Sequence, residues 1–390
     1  MSTFSGKISH FPLLSIDRFD GDHLKSEIFL LSHCHEDHMI GLRNPEFKGP
    51  LYLSPVSAVF VRQNFPHIRN LQEITNGIPV HIKTSEGEVV LTAFPANHCP
   101  GSVMFLLEND SKRVLYTGDF RLNLKELQKI IPFNEYRNSI DEIYLDSTFL
   151  RKNYENFPSQ KESCEAIATL IKEWTSLGSN KKILLHISAR YGYEWMFIQL
   201  FKRLKMKILV KTSEFTSYRY IPELDEAITH LSNSAQIHAC NKNLKNCDCN
   251  AFSPKDEVRT IRVSAMIWQN WDRSKSFVQK DEKLNEFYRV CYSNHASLSE
   301  IRDLLRFLRP KEVFLNVIPL DKAEYDKMTE TLNSIMKEFQ AKNEKIGDLE
   351  LPLSFSNISK VGKKRLEMEE QRLAKMRKLE IEKVDENCDL

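Results

Sequence analysis

The 390 residues are enough for one large domain or two of ordinary size, and a formal charge of only +2 leaves no global positive field, so any polyanion must be met by locally gathered basic residues. No apolar run is long enough to span a membrane, and the opening "MSTFSGKISHFPLL" lacks the basic start and apolar stretch of a signal peptide. Eight cysteines scattered along such a chain fit a reducing compartment, with thiols packed in cores or binding metal, better than a disulfide framework.

Short runs rich in Val, Leu, Ile, Tyr and Phe predict strands at 26–33 (SEIFLLSH) and 49–55 (GPLYLSP). Two more flank a polar turn within 86–108, and others follow at 112–121 and 140–149. The period then changes. Apolar residues at helical spacing, a Ser cap and a Gly stop predict a helix over 159–178. A strand at 181–188 and a helix at 191–205 continue the alternation, which implies a second α/β unit. The stretch 212–260 reads as irregular, and 287–320 as strand, helix, strand. From about 341 the chain is charged, with 11 basic and 11 acidic residues in the last 50, and "KKRLEMEEQRLAKMRKLEIEKV" suits a solvated helix without an apolar docking stripe.

One stretch is chemically dense. In "SHCHEDH", His33, His35, Asp37 and His38 form H-x-H-x-D-H directly after a strand. Residues two apart at a strand end point the same way, and the next turn can swing Asp37 and His38 to a nearby second point. Imidazole and carboxylate suit zinc, manganese or iron. Four ligands are too few for two metals, but His98 ("NHCPGS"), Asp119 ("YTGDFR") and His295 ("SNHASLSE") each stand in a loop after a strand. Singly, each reads as a surface residue or a helix cap. Together they read as a metal centre. Cys34 and Cys99 adjoin these residues but point away from them, as buried packing residues.

"SHCHEDH", "NHCPGSVMF", "LYTGDFR", "YLDSTF" and "SNHASLSE" together resemble the β-CASP nuclease branch of the metallo-β-lactamase fold. "SIDRFD" (15–20), "ARYGYE" (189–194) and "QIHAC" (236–240) resemble its DNA cross-link-repair group. The resemblance runs to about residue 335. It implies an α/β fold: a metallo-β-lactamase αββα sandwich in two parts, 1–155 and 287–340, split by an inserted β-CASP α/β domain at 156–286, with 341–390 as a charged tail. It implies that His33, His35 and His98 hold one divalent metal, that Asp37, His38 and His295 hold a second, and that Asp119 bridges both. Zn2+ is the metal implied, with Mg2+ or Mn2+ supporting activity. Asp146, in "YLDSTF", is expected to orient a ligand histidine or to contact the attacking water.

The activity implied is metal-dependent hydrolysis of DNA at hairpins and single-strand to double-strand junctions, with 5′ exonuclease action, in nuclear double-strand-break repair by end joining. Asp146 and His295 lie 149 positions apart, room for a domain-sized insertion that makes a cleft for a polymer. RNA-processing relatives carry a further histidine where this chain has Val317. The rivals are an RNA endonuclease, a 5′ exonuclease of the same group, and a non-catalytic scaffold. DNA is the expected partner of a monomer, with the DNA-dependent protein kinase and end-joining factors as protein partners. "KKR" (363–365) and "KMRK" (375–378) suit a split nuclear import signal. Longer members of the group carry a C-terminal regulatory region, so regulation is expected to differ here or partners to bind elsewhere.

Substrate contacts are expected from Arg190, Tyr191 and Tyr193, and from Arg262 in a stretch that also holds Trp268, Trp271, Arg273 and Lys275. Core packing is the competing reading for these aromatics. Finally, His238, Cys240, Cys247 and Cys249 could close a structural Zn2+ site in the inserted unit. The group's pattern has an earlier histidine where this chain has Leu209, so Cys249 would take its place.

Overall fold

A computed structural model describes residues 2–130, 136–189, 191–232, 235–242 and 251–343, with side chains as far as residue 338. The first sheet is parallel and runs in chain order: β1 (Leu14–Ile16), β2 (Ile28–Leu31), β3 (Leu51–Leu53) and β4 (Leu71–Glu73). Helix α1 (Pro55–Asn64) starts on a Ser54 cap with Pro at its first position, and its Ala58, Phe60 and Val61 cover the outer face of that sheet.

The second sheet begins as a meander of β5 (Val80–Thr84), β6 (Gly87–Pro95), β7 (Val103–Glu108) and β8 (Arg113–Tyr116), and then adds β9 (Glu142–Leu145) in parallel. Strands β7, β8 and β9 are buried on both faces over almost their whole length, so they read as near-continuous apolar runs. Leu91, Phe105, Leu107 and Tyr116 face the first sheet, where they meet Leu14, Ile16, Ile28 and Leu30. Phe94, Met104, Leu106 and Leu115 face the other way. The short helix α2 (Leu124–Leu127) lies between β8 and β9, and after β9 the chain leaves for a third sheet.

That sheet is opened by helix α3 (Gln160–Thr175), whose Ser159 and Glu162 form a reciprocal capping box. Its strands are β10 (Lys181–His186), β11 (Ile208–Leu209), β12 (Ile228–Thr229), β13 (Ile237–Cys240), β14 (Glu257–Ser264), β15 (Val278–Lys280) and β16 (Phe287–Cys291). They lie in the order β12-β11-β13-β10-β14-β16-β15, all parallel except β15. Helices α4 (Glu194–Leu204), α5 (Thr212–Tyr218) and α6 (Pro222–Ala227) fill the crossovers.

The chain then returns. Helix α7 (Leu298–Leu308) and helix α8 (Lys322–Asn343) pack Leu304, Leu305, Leu308, Met328 and Leu332 onto the outer face of the second sheet. Strand β17 (Glu312–Leu315), between them, extends that sheet beside β9. The first unit is thus helix, sheet, sheet, helix. No helix among the described residues is long and apolar enough to cross a membrane.

Two expectations change. The 212–260 stretch is not irregular throughout: it holds α5, α6, β12 and β13 and the start of β14. These elements are two to eight residues long, too short for a period to show. Strand 287–291, expected to open the second part of the sandwich, instead pairs with β14 and β15 in the third sheet. The crossing back therefore falls after residue 291. The charged tail from 344 onward lies outside the described residues.

Candidate metal centre

The polar residues converge because several strands of both sandwich sheets end at one edge. Beyond β2 the chain extends to His35 and then turns through a single 3-10 turn, Glu36–His38. The loop between β6 and β7 carries His98, the segment after β8 carries Asp119, and Asp146 follows β9. Val103 donates its backbone N–H to the Ser32 carbonyl, which ties the end of β2 to the start of β7. At Gly118 (φ +51) a Cβ would stand 2.9 Å from Ser32, so only glycine allows these two segments so close. His295 arrives after β16, from the far side of the third sheet.

Three ring nitrogens face one another. His35 Nδ1 lies 3.1 Å from His33 Nε2 and 3.0 Å from His98 Nε2. Asp119 Oδ2 is 3.5 Å from both His33 Nε2 and His98 Nε2. The other oxygen, Asp119 Oδ1, is 3.5 Å from His38 Nε2. His295 Nδ1 is 3.9 Å from Asp119 Oδ2. One carboxylate therefore stands among four imidazoles, three of them nearest one oxygen and one nearest the other.

The surrounding hydrogen bonds decide which ring nitrogen carries the proton. His98 Nδ1 is 3.0 Å from the Asn294 carbonyl, which can only accept, so the proton sits there and Nε2 presents its lone pair inward. His38 Nδ1 donates to Asp17 Oδ2 at 2.7 Å, and His295 Nδ1 to Asp146 Oδ2 at 2.9 Å. Ser32 Oγ donates to Asp17 Oδ2 at 2.6 Å and so accepts from His33 Nδ1 at 3.0 Å. Asp17 thereby fixes two histidines, one directly and one through a serine. It also accepts from Ser32 N–H and from the buried Tyr116 hydroxyl.

This donor set fits divalent metal. His33 and His98 turn inward lone pairs toward His35 Nδ1, so three ring nitrogens share at most one proton, an arrangement a cation relieves. His38 Nε2 is buried and has no hydrogen-bond partner. Carboxylates and a carbonyl behind the rings are the supports that ligating histidines use.

The electrostatics agree. Burial holds His33 and His98 well below the ordinary histidine pKa and His35 at about 4, so all three are neutral and ready to ligate. At His38 and His295 burial is outweighed. Asp119 and Asp17 push His38 well up, and Asp146 and Asp119 hold His295 at about 9. Burial works against the Asp119 charge, but His38 and His295 keep it ionised. Burial also pushes Cys34 up to about 12, and its Sγ bonds the Ser57 carbonyl, as a packing residue would.

His33, His35, His38, His98, Asp119, Asp146 and His295 are thus brought together. Asp37 stands at the rim, 3.9 Å from His38 Nε2, and accepts from the Ser2 backbone N–H at 2.8 Å. Asp17 went unnoticed as a site residue in the sequence, although it sits in "SIDRFD" just after β1 and takes a left-handed φ of 54°.

The expected base-stacking tyrosines are corrected. Tyr191 is buried against Phe60 and Tyr218, and Tyr193 packs near Tyr292 with its hydroxyl bonded to Ser188. Both rings pack in a hydrophobic core, because "YGYE" is where the third sheet closes onto α1. Gly192 between them (φ +109) lies so near the centre that a Cβ would be 3.3 Å from His35 Nε2. Trp271 is likewise buried, Trp268 is half-buried, and Arg262, Arg273 and Lys275 are exposed. Arg190 lies outside the described residues, as do Cys247 and Cys249. His238 and Cys240 are buried on β13, with His238 Nδ1 donating to the Leu209 carbonyl at 3.1 Å.

Residues 222–321 match the DNA repair metallo-beta-lactamase family. Over 376 residues the chain is 34% identical to protein artemis of Gallus gallus, covering 88% of this chain and 51% of that protein. It is 32% identical to protein artemis of Homo sapiens, covering 87% and 53%. Similarity to the 5′ exonuclease Apollo of Gallus gallus is lower, 28%, covering 77% and 59%. The chain spans about half the length of the artemis proteins it matches. A crystal structure of a protein of unknown function from Enterococcus faecalis V583 shares the fold, with a TM-score of 0.50 at 12% identity, covering 75% of this chain and 76% of that one. With its αββα layers and its cluster of histidines and aspartates, this chain belongs to the DNA repair metallo-β-lactamase family and is of the artemis type.

Proposed function

We propose that this chain is a metal-dependent DNA nuclease that hydrolyses phosphodiester bonds near single-strand to double-strand junctions, hairpins included, in DNA repair. The observation that carries the reading is the Asp119 carboxylate at the centre of four imidazoles, with Oδ2 facing His33, His98 and His295 and Oδ1 facing His38. His33, His35 and His98 would hold one metal, His38, Asp37 and His295 the other, and Asp119 both. Metals bound there supply Lewis-acid stabilisation of the phosphate and a water of lowered pKa. The chain's own part is positional. Asp17 and Asp146 hold a proton at Nδ1 of His38 and His295, so that the opposite nitrogen is the one that would give up its proton and ligate.

The third sheet would be the β-CASP unit, with a structural Zn2+ held by His238, Cys240, Cys247 and Cys249. The resemblance to artemis supports a nuclear setting, end joining, and partners such as the DNA-dependent protein kinase. Val317, in place of the histidine of RNA-processing relatives, supports DNA over RNA. The direct test incubates wild type and Asp37→Ala with labelled DNA hairpins, 5′-overhang duplexes and a matched RNA, in magnesium or manganese. We expect DNA to be cut near the junction by wild type and left intact by Asp37→Ala. Cutting of RNA alone, or none with metals bound, would sink the proposal.

A further inference from the structure

Beside His98, and lined by no other residue of the cluster, a cavity of about 770 Å3 opens between the sandwich and the third-sheet unit. Its size lies within the range of about 300–1,000 Å3 typical of ligand sites. One face of α4 forms a wall: Trp195 and Lys202, seven positions apart, both line it. Lys161, in the first turn of α3, lines it too.

Lys161 and Lys202 are exposed and form no ion pair among the described residues. Three acids line the cavity as well: Glu223, in the first turn of α6, and two on the opposite side that are already engaged. Glu126 accepts from Asn123 N–H in the cap of α2. Glu300 accepts from Ser297 N–H and pairs with Arg121 at 3.4 Å. The indole of Trp195 is 37% exposed, unusual for tryptophan, and no ring among the described residues lies against it. A free aromatic face with two free ammonium groups, around a cavity bordered by a residue of the metal cluster, matches the chemistry of an unpaired nucleotide.

We propose that this cavity receives unpaired nucleotides of the substrate strand, with a base stacked on Trp195 and phosphates at Lys161 and Lys202. The proposal deepens the nuclease reading and rests on it. It gives the preference for junctions a physical origin, because a base can reach Trp195 only when it is not held in a duplex.

The test measures binding of a fluorescent ten-nucleotide oligo(dT) in chelator, with cleavage of a 5′-overhang duplex measured in parallel. Trp195→Ala should weaken binding about tenfold, and Trp195→Phe, which keeps a stacking face, should recover most of it. Lys161→Ala and Lys202→Ala should each reduce the salt dependence of log K by about 0.7. Wild-type affinity in Trp195→Ala, or equal weakness in Trp195→Phe, would overturn the proposal. So would unchanged salt slopes in both lysine variants. Wild type that neither binds nor cuts DNA would overturn the nuclease reading itself. Wild type that cuts DNA while Trp195→Ala binds normally would remove the cavity proposal alone.

Discussion

Asp17 does more for the metal centre than its distance from the H-x-H-x-D-H motif suggests. A buried carboxylate without partners would cost several kcal/mol, and this one is satisfied by His38, Ser32 and Tyr116. Asp17→Asn keeps the volume but turns one oxygen into a donor, which cannot accept from both His38 and Ser32. Metal affinity should fall about 10- to 100-fold, read as metal retained after dialysis against a buffered chelator. Wild-type retention would show that Asp17 is only a packing polar group. Tyr191 makes the opposite case. Because its ring is buried, Tyr191→Ala should lower unfolding free energy by about 3–5 kcal/mol, whereas Tyr191→Phe should cleave DNA as wild type does. A selective loss of DNA affinity in the phenylalanine variant would restore the substrate-contact reading.

At the scale of elements, the site depends on where strands stop and helices start. Ser159 caps α3 just where the chain enters the third-sheet unit. Ser159→Ala should cost about 1 kcal/mol in urea unfolding, with the cleavage product unchanged. Gly192 is less forgiving. Its φ of +109 is strained for any side chain, and a Cβ would press within 2.9 Å of Asn294 Nδ2. Asn294 offers the carbonyl that fixes the His98 tautomer. Gly192→Ala should therefore lower kcat by more than the fold loses in stability, and parallel kinetics and melting curves would separate the two. The strands and helices that frame the site were legible because each carries a clear period or cap. The short elements within 212–260 were not, since a two-residue strand has no period.

In the whole molecule, the chain crosses between the two units twice, near 158 and near 293. Arg121, two residues after Asp119, binds both crossings: Nη1 donates to the Ser293 carbonyl at 2.6 Å and Nη2 to the Pro158 carbonyl at 2.8 Å. It is buried, so these bonds are shielded from water. Arg121→Ala should loosen the junction and displace His295. We expect faster proteolysis between 150 and 160 and reduced metal retention, with Arg121→Lys recovering little, because one ammonium cannot reproduce the planar fork. Unaltered proteolysis would mean that the packed cores alone hold the units together.

The sequence by itself determined which histidines and aspartates stand as candidate ligands and in what order, because metal ligation demands particular residue types and these stand in short motifs. It also determined the alternation of strands and helices around them, through period and capping. Only the tertiary structure decided which ring nitrogens turn inward, since the tautomers are set by Asp17, Asn294 and Asp146 from remote parts of the chain. Likewise it alone placed the "YGYE" tyrosines in the core and left Trp195 open, because burial depends on which segments meet, and those segments are far apart in sequence.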